Sequence, residues 1–101
     1  MLKNAVKVSS VSLIACVALA QAPRPKDGFV PDQKTAIKIA EAVLSPIYGE
    51  KQILSERPFI ASLKDGVWTV GGTLPSGWEG GVAEIKIDKQ SGAIISYIHY
   101  K

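Results

Sequence analysis

Val82-Ala-Glu-Ile-Lys-Ile-Asp88 is the stretch on which the reading of this chain turns. Ala83, Ile85 and Ile87 alternate with Glu84, Lys86 and Asp88. Successive side chains of a strand point to opposite faces, so this order makes one face apolar and the other wet. Working outward, Lys89 to Gly92 is a turn, and Ala93 to Tyr100 is a last strand. In the other direction lies a Gly-rich loop, Pro75-Ser-Gly-Trp-Glu-Gly-Gly81. Before it, Val67-Trp-Thr-Val70 continues toward Leu74 and pairs back through Lys64-Asp65-Gly66 onto Phe59-Ile-Ala-Ser-Leu63. Asp-Gly between two apolar runs is a strong hairpin signal. The result is a four-stranded antiparallel meander.

A helix precedes the sheet. Ala36, Ile37, Ile39, Ala40, Val43, Leu44 and Ile47 recur at helical spacing, with Lys34, Lys38 and Glu41 off that stripe. Asp32 stands where an N-cap belongs, and Pro46 and Gly49 predict an end between Leu44 and Tyr48. Everything after that point reads as strand and turn. One amphipathic helix covers one face of such a sheet, so the expected class is α+β, a cystatin-like layer.

The last strand breaks the alternation. Ile94, Ser96, Ile98 and Tyr100 fall on one side, and Ala93, Ile95, Tyr97 and His99 on the other. Both sides carry large apolar groups, which a single helix cannot bury. Two readings follow: a central strand with its open face sheltered by the N-terminal arm, or a partner-binding surface.

Residues 1–20 have the pattern of a secretory leader. Lys3 and Lys7 form a cationic start, Val8 to Leu19 an apolar segment, and Ala18-Leu19-Ala20 a small-x-small cleavage site. The expected cut is after Ala20, with Ala22 as a later site. Leu13-Ile-Ala-Cys16 offers a rival, a lipobox whose Cys16 carries a lipid anchor, although Val17 to Ala20 continue the apolar run beyond it. Residues 21–31, with three prolines and a glycine, make an extended arm, leaving 32–101 as the folded domain.

The chain has 101 residues and a net charge of +3. Without Lys3 and Lys7 its basic residues fall from 12 to 10 against 9 acidic ones, close to neutral. No cluster of Lys and Arg remains, which argues against a nucleic-acid partner. Cys16 is the only cysteine and His99 the only histidine, so the mature domain has no disulfide and no Cys/His metal set. No nucleophile elbow surrounds Ser62, Ser76, Ser91 or Ser96, and Gly71-Gly72 and Gly80-Gly81 lack the Lys-Ser/Thr of a phosphate loop. Neither a catalytic residue nor a cofactor motif emerges. Trp78, between Gly77 and Gly80, is either a cover for the end of the fold or an interface anchor.

Three segments together carry a family resemblance: Ala36-Ile-Lys-Ile-Ala-Glu-Ala-Val-Leu-Ser-Pro-Ile-Tyr-Gly-Glu50, Val67 to Val82, and Ile85 to Ile95 with the closing His99-Tyr100-Lys101. The most specific piece is Gly72-Thr-Leu-Pro-x-Gly-x-x-Gly-Gly-Val82. The domain resembles bacterial immunity proteins with a fold like nuclear transport factor two. That resemblance implies a non-enzymatic toxin inhibitor of a polymorphic toxin system, whose partner is a cognate protein toxin. With the leader, it implies action in the periplasm against a toxin of cell wall or membrane. Trp78 and Glu79 of the loop, with Tyr97 and His99 of the last strand, are the expected contacts. A small exported protease inhibitor, or a ligand-binding module of the same fold class, is the alternative.

Overall fold

The computed structural model describes residues 22–101. The leader, its cleavage after Ala20 and the lipid site at Cys16 lie outside the described residues. Helix α1 spans Gln33–Tyr48. Its start is set by Asp32, whose carboxylate accepts the Thr35 N–H at 2.8 Å and the Thr35 hydroxyl at 2.7 Å. Those two bonds hold the Asp32 carboxyl below its ordinary value. Ala36, Ala40 and Leu44 are fully buried against the sheet, whereas Ile47, at the end of the predicted stripe, is 44% exposed. Pro46 lies inside the last turn. There its missing N–H removes only one helical bond.

A second helix, α2 at Glu50–Ser55, replaces the strand-and-turn region expected after α1. Its six residues bury only Ile53, too few to print a helical period on the sequence. The chain then enters the meander of β1 (Ile60–Lys64), β2 (Val67–Gly71), β3 (Ala83–Asp88) and β4 (Ile94–His99), in that spatial order. Asp65 and Gly66 have φ of 50° and 76° between the paired Lys64 and Val67. Positive φ at both turn residues is the hairpin geometry that Asp-Gly favours.

The fold class is the α+β layer expected from the sequence. Helix α1 packs across β1, β2 and β3. Between them lie Ala61, Trp68, Val70, Ala83, Ile85 and Ile87, all buried. Val30 of the N-terminal arm completes this core, and its carbonyl accepts the buried Trp68 indole N–H at 2.8 Å. Backbone bonds from Phe29 and Val30 to Gln90 and Lys89 tie the arm to the β3–β4 turn.

Two expectations about the last strand need correction. It is not central: β4 pairs only with β3 and forms an edge of the sheet. Nor do its faces divide as simple alternation requires. Ile85 pairs with Tyr97 and Lys86 with Ser96, but Ile87 pairs with Ile94, leaving Ile95 as an extra residue. Such a bulge changes the phase of the strand. Ile94 therefore joins Tyr97 and His99 on the helix side, while Ser96 and Ile98 share the open side with Lys86 and Glu84.

Candidate functional site

Among the described residues one charged side chain is buried. Glu56, directly after α2, is only 3% exposed. Its Oε1 accepts the Ala83 N–H at 2.7 Å, and its Oε2 accepts the Gln52 amide at 2.9 Å. His99 Nε2 stands 2.9 Å from the same Oε2, and His99 Nδ1 is 2.9 Å from the Tyr100 carbonyl. A neutral imidazole has a single N–H, so its tautomer sets which of the two contacts it donates. Burial pushes the Glu56 carboxyl up, but the Ala83 N–H, the Gln52 amide and the His99 ring outweigh it. Its pKa lies below the ordinary 4.5.

The backbone is shaped around this carboxylate. The Glu56 carbonyl accepts the Thr73 N–H at 2.7 Å, and the Gly72 N–H reaches the Ala83 carbonyl at 2.9 Å. A Cβ on Gly72 would stand 2.8 Å from Glu56 Oε1 and 2.9 Å from its Cβ. At Gly81 a Cβ would overlap the Tyr100 carbonyl. The specific Gly-rich segment is therefore where two loop ends press against Glu56 and the end of β4. Close backbone approach requires glycine there.

An open cleft of about 490 Å³ lies beside this cluster, lined by Tyr48, Gly49, Lys51, Gln52, Ser55 and Trp78. Tyr48 joins the two features, since its ring sits 5.2 Å from that of His99. Trp78 is 69% exposed, so it does not fold back as a cover. Glu79 beside it is exposed as well. Tyr97 is 53% exposed, one rung along the helix side of β4 from His99. The structure thus links Trp78 to His99 through Tyr48 and places Tyr97 next to His99. His99 itself is largely engaged with Glu56.

Sequence reasoning missed Tyr48, Gln52 and Glu56. Ser-Glu-Arg-Pro at 55–58 looks like a charged linker. Arg57 does behave as a surface residue, pairing through two bonds of 2.8 and 2.9 Å with Glu41 on α1. Among the described residues no three His, Cys, Asp or Glu side chains come together as a metal set, and no helix is long and apolar enough to cross a membrane.

Comparison with known proteins gives the arrangement its family. Over 73 residues the chain is 33% identical to the uncharacterized protein YbbC of Escherichia coli K12, covering 71% of this chain. The chain spans 60% of the length of that relative. No solved structure matches this chain. The profile of a family described as NTF2 fold immunity proteins matches residues 35–101, which takes in α1 from Thr35 onward, α2, all four strands, Trp78 and the Glu56–His99 cluster. The chain belongs to this NTF2 fold immunity protein family.

Proposed function

We propose that this protein is an exported immunity protein that binds a cognate antibacterial toxin and neutralises it in the periplasm, where the toxin attacks the cell wall or membrane. Family membership supports toxin neutralisation. The leader pattern of residues 1–20 supports export. The observation that carries the binding surface is Trp78, a large aromatic held out of the core at the mouth of the Tyr48–Ser55 cleft. Interface hot spots are enriched in such aromatics. Lys51 and Glu79 supply a polar rim of both signs. Tyr97 extends the apolar surface past His99.

Inhibition in this reading is steric. The loop carrying Trp78 and Glu79 docks on the toxin while the Glu56–His99 clasp keeps the sheet end rigid beneath it. No group of the immunity protein takes part in chemistry. The test is periplasmic co-expression of the full chain with the product of the neighbouring gene, together with a pull-down. Rescue from toxicity with tight binding supports the reading. Absence of both would bring forward the exported protease inhibitor or ligand-binding module.

A further inference from the structure

The two edges of the sheet are built differently. The β1 edge is entered from Arg57-Pro58 and ends in Lys64, residue types that discourage edge pairing. The β4 edge has no such protection. Residues 93–100, Ala-Ile-Ile-Ser-Tyr-Ile-His-Tyr, include no Asp, Glu, Lys or Arg. Tyr97, Ile98 and Tyr100 are each about half exposed. The bulge at Ile95 interrupts the strand at its start and leaves Ser96 to Tyr100 as the regular stretch.

The direction of the free main-chain groups follows from the register. Tyr100 N–H donates to the Val82 carbonyl, so Ser96, Ile98 and Tyr100 turn their peptide groups toward β3. Tyr97 and His99 turn theirs outward. These two residues are spaced symmetrically about Ile98, which makes the edge self-complementary. We propose that the β4 edge is a self-association surface, on which two copies pair Ser96–Tyr100 antiparallel about a two-fold axis through Ile98. Four strands become eight, and Tyr97 of each copy exchanges two backbone hydrogen bonds with His99 of the other.

A second copy suits this edge for reasons of charge and shape. The pairing sets no like charge against another, whereas a charged segment from elsewhere would lose solvation without gaining a partner. On the helix side each Tyr97 lies beside the other copy's His99. On the open side the two Ile98 side chains meet in the close, non-hydrogen-bonded arrangement. The Trp78 cleft stays free, while Tyr97 and His99 are shared with the proposed toxin surface; sedimentation of the chain alone reads the pairing separately from toxin binding.

The test uses the purified full chain. Sedimentation velocity over a wide concentration range is expected to show a reversible monomer–dimer equilibrium. Ile98→Lys sets two cations together at the axis and should weaken the dimer about tenfold or more. Because Ile98 is half exposed, the variant should keep its circular dichroism spectrum. In a Cys16→Ser background, Ile98→Cys should form a disulfide-linked dimer on mild oxidation. The paired Cα atoms would lie about 4.5 Å apart, near the lower end of the usual range for a disulfide. Ser96→Cys should not crosslink, because the same axis places its copy opposite Tyr100. A wild-type chain that stays monomeric throughout would overturn the proposal. So would a dimer indifferent to Ile98→Lys, or crosslinking that is equal at positions 96 and 98.

Discussion

Glu56 and His99, 43 residues apart, meet at 2.9 Å and lock the end of the last strand to the end of the second helix. The carboxylate is nearly inaccessible, at 4% side-chain exposure, while the imidazole is 26% exposed. Removing one member of a buried network leaves its partners without bonds, and that penalty exceeds the net value of the bonds themselves. Glu56→Ala should therefore destabilise the domain by about 2–4 kcal/mol. His99→Ala removes the more exposed partner and should cost about 1–2 kcal/mol. Urea denaturation of the two variants checks both values. Equal, small losses would mean that the cluster is not a structural clasp.

The same cluster sets a pH dependence. The Glu56 carboxyl titrates below its ordinary 4.5 in the folded protein. A depressed native pKa adds stability that is fully present above the unfolded value and is lost as pH falls through the folded one. Asp32 and Asp88, held low mainly by bonds to Thr35 and Ser91, act in the same direction. Stability should therefore fall as the pH drops below about 5. Glu56→Gln should show a shallower fall, measured as the urea midpoint at each pH. An identical slope in wild type and variant would contradict the assignment.

Gly72 is a packing requirement. An added methyl group would stand 2.8 Å from Glu56 Oε1 and would have to displace the buried carboxylate. Gly72→Ala should cost about 1–3 kcal/mol, the usual penalty of overpacking. Thermal unfolding followed by circular dichroism measures it. In a Glu56→Ala background the added cost should shrink, because the clashing carboxylate is gone.

Trp78 should separate stability from binding. With 69% of its surface exposed, Trp78→Ala should change unfolding free energy by less than about 0.5 kcal/mol. Its affinity for the neighbouring gene's product should fall by about 2–4 kcal/mol. Calorimetric titration with that protein gives the second number. Unchanged affinity would remove the loop from the interface.

The arm is anchored through Trp68. Trp68→Phe keeps a large ring in the core but removes the indole donor, leaving the Val30 carbonyl unpaired. The expected loss is about 1–2 kcal/mol. It should come with faster amide exchange at Phe29 and Val30, whose N–H groups bond to Gln90 and Lys89. Protection unchanged at those two amides would show that the arm is held by other contacts.

Local patterns in the chain were enough to read most of the fold. The alternation of Val82–Asp88, the Asp65-Gly66 turn and the stripe from Ala36 to Leu44 each announce an element, because periods of 2.0 and 3.6 are properties of the backbone near each residue. Helix α2 was illegible because six residues with one buried side chain have no period to show. The site was only partly legible. Trp78, Glu79, Tyr97 and His99 could be named as candidates, yet nothing near Glu56 in the sequence marks it as the buried partner of His99.

From its own residue order the chain dictated a helix followed by an antiparallel meander with one apolar face, since those signals act over a few residues. Only the tertiary structure decided that β4 is an edge, that the bulge at Ile95 turns Ile94 to the helix side, and that Glu56 is buried against Ala83, Gln52 and His99. Those outcomes depend on contacts between distant segments. Burial and pairing are set by which surfaces meet in space, and no local period encodes that.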